Sequence, residues 1–274
     1  VTMAVCLVTG ASSGIGHATV LELLRAGHTV YGAARRLGQM EDLREAGART
    51  IEMDVTEEED LQRAVGTILG EQRRLDVLVN NAGVGVYGAA EDVPLDLARH
   101  GFEVNLFGPA RLVQLVLPGM RERGTGTIVN VSSIAGRIAL PLGAWYHASK
   151  HALEGWSDSL RQEVGRFGIR VVVIQPGIIR TEFESGTPRE LREISGKGAY
   201  ASMARWMAER AETAFRDDSK ASEPSVVARA IREAVESGSP KPRRSVGYLA
   251  RLLLTMHKLL PDRAWDKVVT RTPS

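Results

Sequence analysis

A tyrosine and a lysine stand four residues apart in the run Tyr146-His147-Ala148-Ser149-Lys150, and Ser133 lies thirteen residues upstream of the tyrosine. On a helix, positions i and i+4 share a face, so the phenol and the ammonium reach one site. A free tyrosine titrates near ~10, too high for efficient proton transfer at neutral pH. A fixed positive charge beside it favours the phenolate and brings that value down. A serine hydroxyl at the mouth of an adjacent strand can hydrogen-bond the reacting oxygen and orient it. The three side chains are equipped to move a proton on or off an alcohol or carbonyl oxygen.

Regular elements must place them. Ser133 closes a Val/Ile-rich run, Thr127-Ile128-Val129-Asn130-Val131-Ser132, that reads as a strand. Near the N-terminus, Val5-Cys6-Leu7-Val8 reads as a short buried strand that enters Thr9-Gly10-Ala11-Ser12-Ser13-Gly14-Ile15-Gly16 and then a helical pattern from His17 to Arg25. Strand, Gly-rich turn and helix form the layout of a dinucleotide phosphate site: glycines let the backbone approach a pyrophosphate, and the helix N-terminus favours its charge. The spacing here is G-x-x-x-G-x-G rather than G-x-G-x-x-G.

Strand-like runs at 4–8, 29–33, 50–53, 77–79, 127–132, 171–175 and 245–248 alternate with helical patterns at 17–26, 37–46, 57–72, 94–123, 144–167 and 224–237. Such alternation predicts an α/β fold, a doubly wound Rossmann-type parallel sheet of about seven strands with helices on both faces. The expected organisation is a single dinucleotide-binding catalytic domain over residues 1–274. A mixed-charge stretch at about 182–223 interrupts the alternation and is expected to be an insertion that forms a substrate lid.

These motifs together resemble the short-chain dehydrogenase/reductase family, in its single-domain form, from about Val5 to Thr181. The loop with Gly10, Ser12, Ser13, Gly14, Ile15 and Gly16 matches the family's cofactor loop. Asp54 and Val55 match the pair beside the adenine, and Asn80-Asn81-Ala82-Gly83 matches N-N-A-G. Asn105, Ser133, Tyr146 and Lys150 match the catalytic tetrad. Pro176, Gly177, Ile179 and Thr181 match the segment around the nicotinamide. The resemblance implies hydride transfer between a nicotinamide and a carbonyl/alcohol pair. Tyr146 would donate the proton, Ser133 would fix the oxygen, and Lys150 would also bind the nicotinamide ribose. Asn105 would hold a water linking Lys150 to solvent.

Composition sets outer bounds. A formal charge of +2 makes no electrostatic claim on nucleic acid. With Cys6 the single cysteine, no intrachain disulfide can form. No signal-peptide pattern and no spanning apolar stretch is seen, so a cytoplasmic location is expected. The pattern from Tyr248 to Leu260 is basic and apolar, too short to span a bilayer, and fits either a pocket cover or a membrane surface. His100, His151 and His257 lack metal-ligand spacing, so no metal is expected.

Cofactor choice follows from the end of the second strand. An NAD site usually carries Asp or Glu there, whereas this run ends in Ala34, Arg35 and Arg36, guanidiniums suited to a 2′-phosphate. NADP(H) is therefore expected over NAD(H). Tyr200, Met203, Trp206 and Met207 share a helical face in the insertion, and Val84, Val86, Tyr87 and the stretch from Ile138 through Leu140 to Leu142 are expected to face them. None of these positions is charged, which favours a lipophilic ketone, aldehyde or secondary alcohol. The alternative is that the lid residues pack only onto the domain or a partner subunit. The two long helices predicted at 94–123 and 144–167 suggest a homodimer or homotetramer. A catalytically idle cofactor sensor or scaffold of the same fold is the competing reading, and the intact tetrad argues against it.

Overall fold

The structure, a computed structural model, describes residues 3–182, 186–214 and 220–270. Its centre is one seven-stranded sheet, all parallel, in the order β3-β2-β1-β4-β5-β6-β7. The strands are β1 (Val5–Thr9), β2 (Thr29–Ala34), β3 (Arg49–Glu52), β4 (Val77–Asn80), β5 (Gly126–Val131), β6 (Ile169–Pro176) and β7 (Arg243–Val246). Seven parallel strands flanked by helices meet the expectation of a Rossmann-type fold.

Strand residues alternate between two apolar layers. Leu7, Leu78, Ile128 and Val171 join one core with Leu61, Val65 and Ile68, Leu112 and Val116, and Leu160 and Val164. These helical residues belong to α3 (Glu58–Gln72), α5 (Gly108–Arg123) and α6 (Ala144–Val164). Cys6, Val8, Val79, Val129 and Val172 join the other core with Val20, Leu23, Leu43, Val227 and Ile231. Those come from α1 (Gly14–Arg25), α2 (Glu41–Glu45) and α9 (Pro224–Glu236). With period two in a strand, a run apolar at every position is buried on both faces, as β1 is. Cys6 is part of this core, and burial pushes its thiol far up, out of reach of ordinary redox chemistry.

The chain leaves β1 toward β2 and β3, then returns to β4 on the other side. The order reverses between β1 and β4, which opens a crevice at the carboxyl ends of these strands. On that side lie α7 (Thr187–Ser195) and α8 (Ala201–Ala214). The expected lid at about 182–223 falls partly on 183–185 and 215–219, outside the described residues. Beyond β7 come α10 (Ala250–Leu259) and α11 (Asp262–Val269). Among the described residues no helix is long and apolar enough to cross a membrane.

The predicted long helix at 94–123 is in fact interrupted. It forms α4 (Leu95–Phe102), a wide π turn over Glu103–Phe107, and then α5. A π turn takes one more residue than an α turn, and here it carries Asn105. Hydrophobic periodicity marks helix but not this slip. Gly108 follows at once, where a Cβ would lie 2.3 Å from the Val55 carbonyl oxygen. The absence of a side chain lets the helix press on the loop after β3. Gly108→Ala should therefore cost about 2 kcal/mol, read as a lower urea midpoint at unchanged m-value. An unaltered midpoint would mean that this contact yields freely.

Candidate active site

The crevice is built first by a hydroxyl. Thr9, at the end of β1, accepts the N–H groups of Asn81 and Ala82 at Oγ1, at 3.0 and 2.9 Å. Asn81 Nδ2 donates back to the Thr9 carbonyl at 2.8 Å. The Gly-rich loop and the Asn80–Gly83 turn are thus tied across the β1/β4 switch point. Gly16 has no room for a side chain: a Cβ there would lie 2.2 Å from the Gly10 carbonyl oxygen and 2.5 Å from Asn81 Nδ2. Gly10 itself takes φ 66°, which a glycine adopts at no steric cost.

The resulting cleft has a volume of about 610 Å³. It is lined at the turn by Gly10, Ser12, Ser13, Gly14 and Ile15, and beyond β2 and β3 by Arg35, Arg36, Asp54 and Val55. Asn81, Ala82 and Gly83 form its floor, and Pro176, Gly177, Ile179 and Thr181 its far side. Ser133, Tyr146 and Lys150 close the inner end. Two predicted residues stand behind the wall: Gly16, under the loop, and Asn105, which is 1% exposed. Asp54 turns its carboxylate onto the Thr56 N–H and hydroxyl at 3.0 and 2.8 Å, and Arg35 Nη1 lies 3.8 Å from its second oxygen.

At the inner end Lys150 is 4% exposed, and its ammonium donates to the Val131 carbonyl at 3.1 Å. Burial lowers its pKa to about 8, while the negative charge of Glu154 pulls the other way. Lys150 Nζ stands 5.9 Å from the Tyr146 ring centroid. Gly83 keeps the space beside the lysine open, since a Cβ there would lie 3.2 Å from Asn105 Oδ1 and 3.5 Å from Lys150 Nζ. Asn105 is fixed by three bonds: Oδ1 accepts Val84 N–H at 2.9 Å, and Nδ2 donates to the Val84 carbonyl at 2.9 Å and to Ser149 Oγ at 3.0 Å. Ser133 Oγ accepts the Ala135 N–H at 3.1 Å, which holds it at the strand end.

Sequence reasoning missed how the site is braced. Glu154, one turn below Lys150, is buried, accepts Gln175 Nε2 at 2.9 Å and Arg243 Nε at 2.7 Å, and has Arg137 Nε at 3.6 Å. No spacing rule joins residues from α6, β6 and β7. Tyr87 packs its ring 5.4 Å from that of Tyr146. Arg189, on α7, and Glu182 line the mouth and bring charges that the sequence-based wall did not include.

The predicted substrate wall needs correction. Val86 is 2% exposed and buried against Val93 and Ala98, so it does not line the cleft. Tyr200, Met203 and Met207 pack instead in a small core with Ala89, Leu142, Leu191, Ala204 and Ala208, and Trp206 lies under Arg210, whose guanidinium is 4.8 Å from the ring. Neither these four nor Leu140 lines the cleft. A helical face tells which side is apolar and not what it meets. Here α8 spends that face on α7 and on Ala89 and Leu142. Tyr87 is the link, packed on this small core and on Tyr146.

Comparison with known proteins agrees with the geometry. Residues 4–191 match the family model of the short chain dehydrogenases. The chain is 36% identical over 261 residues to 3-ketodihydrosphingosine reductase of Bacteroides thetaiotaomicron, covering 94% of this chain and 93% of that protein. A short-chain dehydrogenase from Streptomyces avermitilis has a crystal structure that superposes with a TM-score of 0.81 at 35% identity, over 97% of this chain and 98% of the other. An actinorhodin polyketide ketoreductase variant with NADPH gives 0.75 at 32% identity, over 89% and 95%. This chain is an oxidoreductase of the short-chain dehydrogenase/reductase family.

Proposed function

We propose that this protein interconverts a lipophilic ketone or aldehyde and its alcohol with NADP(H), within one domain covered by a lid. The observation that carries the reading is the buried Lys150 ammonium beside the Tyr146 ring, at the inner end of a cleft whose outer end holds Arg35 and Arg36. The residues present fit a dinucleotide. The cleft volume lies within the range of about 300–1,000 Å³ usual for ligand sites. The bare backbone at Gly83 leaves room just where a Cβ would crowd Lys150.

When bound, the nicotinamide supplies or accepts the hydride. Gly10, Ser12, Ser13, Gly14 and Ile15 would cradle the pyrophosphate at the start of α1, and Asp54 and Val55 the adenine. Pro176, Gly177, Ile179 and Thr181 would hold the nicotinamide end. Tyr146 gives its phenolic proton to the oxygen of the carbonyl. Ser133 donates to the same oxygen and aligns it, which converts binding into orientation. The Lys150 cation favours the phenolate left behind and reaches the nicotinamide ribose. Asn105 braces the floor beside Lys150.

Two relatives support the keto substrate class by name, the 3-ketodihydrosphingosine reductase and the polyketide ketoreductase. The uncharged inner surface supports it too: Val84 and Gly85 line the cleft next to Tyr146, under Tyr87. A homodimer or homotetramer belongs to the same reading, since Leu95 and Phe107 are exposed on the α4–α5 unit.

Tyr146→Phe should lower kcat for ketone reduction about a thousandfold, because general acid catalysis is lost. Its NADPH affinity, read by fluorescence titration, should stay close to that of the parent. Retained turnover would contradict the assignment.

Arg35→Ala should weaken NADPH about tenfold, the loss expected for a charge-assisted hydrogen bond. NADH binding should hardly move. Equal losses for the two coenzymes would remove Arg35 from the 2′-phosphate site.

A further inference from the structure

Ser133 and Tyr146 are the two ends of one connection, and its stretch 138–143 is tied at four polar points. The Ala139 carbonyl accepts the indole N–H of Trp265 at 3.3 Å. The Leu140 N–H donates to His147 Nε2 at 3.2 Å. The Leu142 carbonyl accepts the Gly88 N–H at 2.7 Å. The Gly143 carbonyl accepts from His147 Nδ1, so the imidazole is neutral with its proton on that nitrogen. A Cβ at Gly143 would sit 2.4 Å from the His147 ring, so the two residues form a unit.

The stretch is not relaxed on its own. Leu142 has φ 59°, a left-handed backbone that disfavours a residue with a Cβ. Its side chain is nonetheless buried with Ala89, Leu191, Ala204 and Ala208. The surroundings, and not local preference, hold this conformation.

Three of the four bonds come from elements that already flank the site. The fourth comes from the far end of the chain. In α11 the flanking residues Asp266, Lys267 and Val268 are exposed, while Trp265 is 5% exposed. Its ring meets His257 of α10 edge-on, with centroids 4.9 Å apart. The C-terminal helices therefore turn one large side chain inward and use its polar atom on this connection. An indole N–H buried in this way normally finds a partner, and here the partner is the Ala139 carbonyl.

We infer that α10 and α11 belong to the active site, with Trp265 a positioning residue that holds the 138–143 stretch as the specificity wall for bulky carbonyl substrates. The substrate part of this inference rests on the function proposed above. The positioning part stands on the hydrogen bonds alone.

The test is Trp265→Phe, which keeps an aromatic ring in place and removes the N–H. Val268→Ala, on the exposed face of the same helix, is the control. Hydrogen–deuterium exchange of the full chain reads the amides of 138–143, Leu140 above all. Loss of one hydrogen bond predicts about fivefold faster exchange there in Trp265→Phe and none in the control. With NADPH, KM for a bulky aryl ketone should rise about fivefold, with kcat, NADPH affinity and KM for a small ketone nearly unchanged. Unchanged exchange in this stretch would overturn the positioning role. Losses spread equally over NADPH affinity, kcat and both ketones would show a general structural role and overturn the specificity role. Should the parent protein reduce no ketone, the proposed function falls, and exchange still decides whether Trp265 holds the stretch.

Discussion

A buried ammonium is the constraint around which this molecule is arranged. Removing a cation from water is costly unless dipoles and opposite charge meet it. Lys150 meets the Val131 carbonyl directly and Glu154 one helical turn away. Each of these requires an element: β5 for the carbonyl, α6 for the lysine and the acid. Glu154 is buried in turn, and Arg243 from β7 and Gln175 from β6 satisfy it. The position of one lysine thus runs through three neighbouring strands and the helix that crosses them.

The same economy of polar groups appears at the switch point. Thr9 supplies one hydroxyl that satisfies two backbone N–H groups of the Asn81–Ala82 turn, and Asn81 returns a bond to the Thr9 backbone. Deeper in the sheet, Asn80 Nδ2 donates to Asn130 Oδ1 at 2.9 Å, and Asn130 Nδ2 donates to Ser157 Oγ at 2.8 Å. This buried chain fixes β4, β5 and α6 in register. A site made of residues from four elements needs such a frame, because small displacements of reacting groups are expensive in rate.

The parts legible in the sequence were those with local patterns. Strands apolar at every position, such as β1, announced a sheet covered on both faces. The Gly-rich turn and the Tyr146–Lys150 spacing carried their own geometry, and the cleft brings together the residues named from them. What lay hidden depends on contacts between distant segments. The π turn at Asn105 leaves the hydrophobic period of the helix almost unchanged, so nothing in 94–123 marked it. Gly108 read as an ordinary helix glycine until the Val55 carbonyl stood against it. Val86 and the face of Tyr200, Met203 and Met207 were recognised as apolar, but their partners proved to be other helices and turns, and not the cleft. Glu154 and Trp265 are invisible to spacing rules, since their partners are separated from them by whole elements.

The account turns on the state of Lys150, and that state can be measured in the protein as it stands. Lysine side chains labelled with 13C at Cε can be followed by NMR over pH, with the Lys150 signal assigned by its loss in Lys150→Met. Desolvation outweighs the pull of Glu154, so the folded value lies below the usual one: the ammonium is kept at lower pH and released as pH rises through about 8. A midpoint near that value is predicted. A midpoint in the ordinary lysine range near ~10.4 would mean that the ammonium is not desolvated beside Tyr146, and would contradict the account.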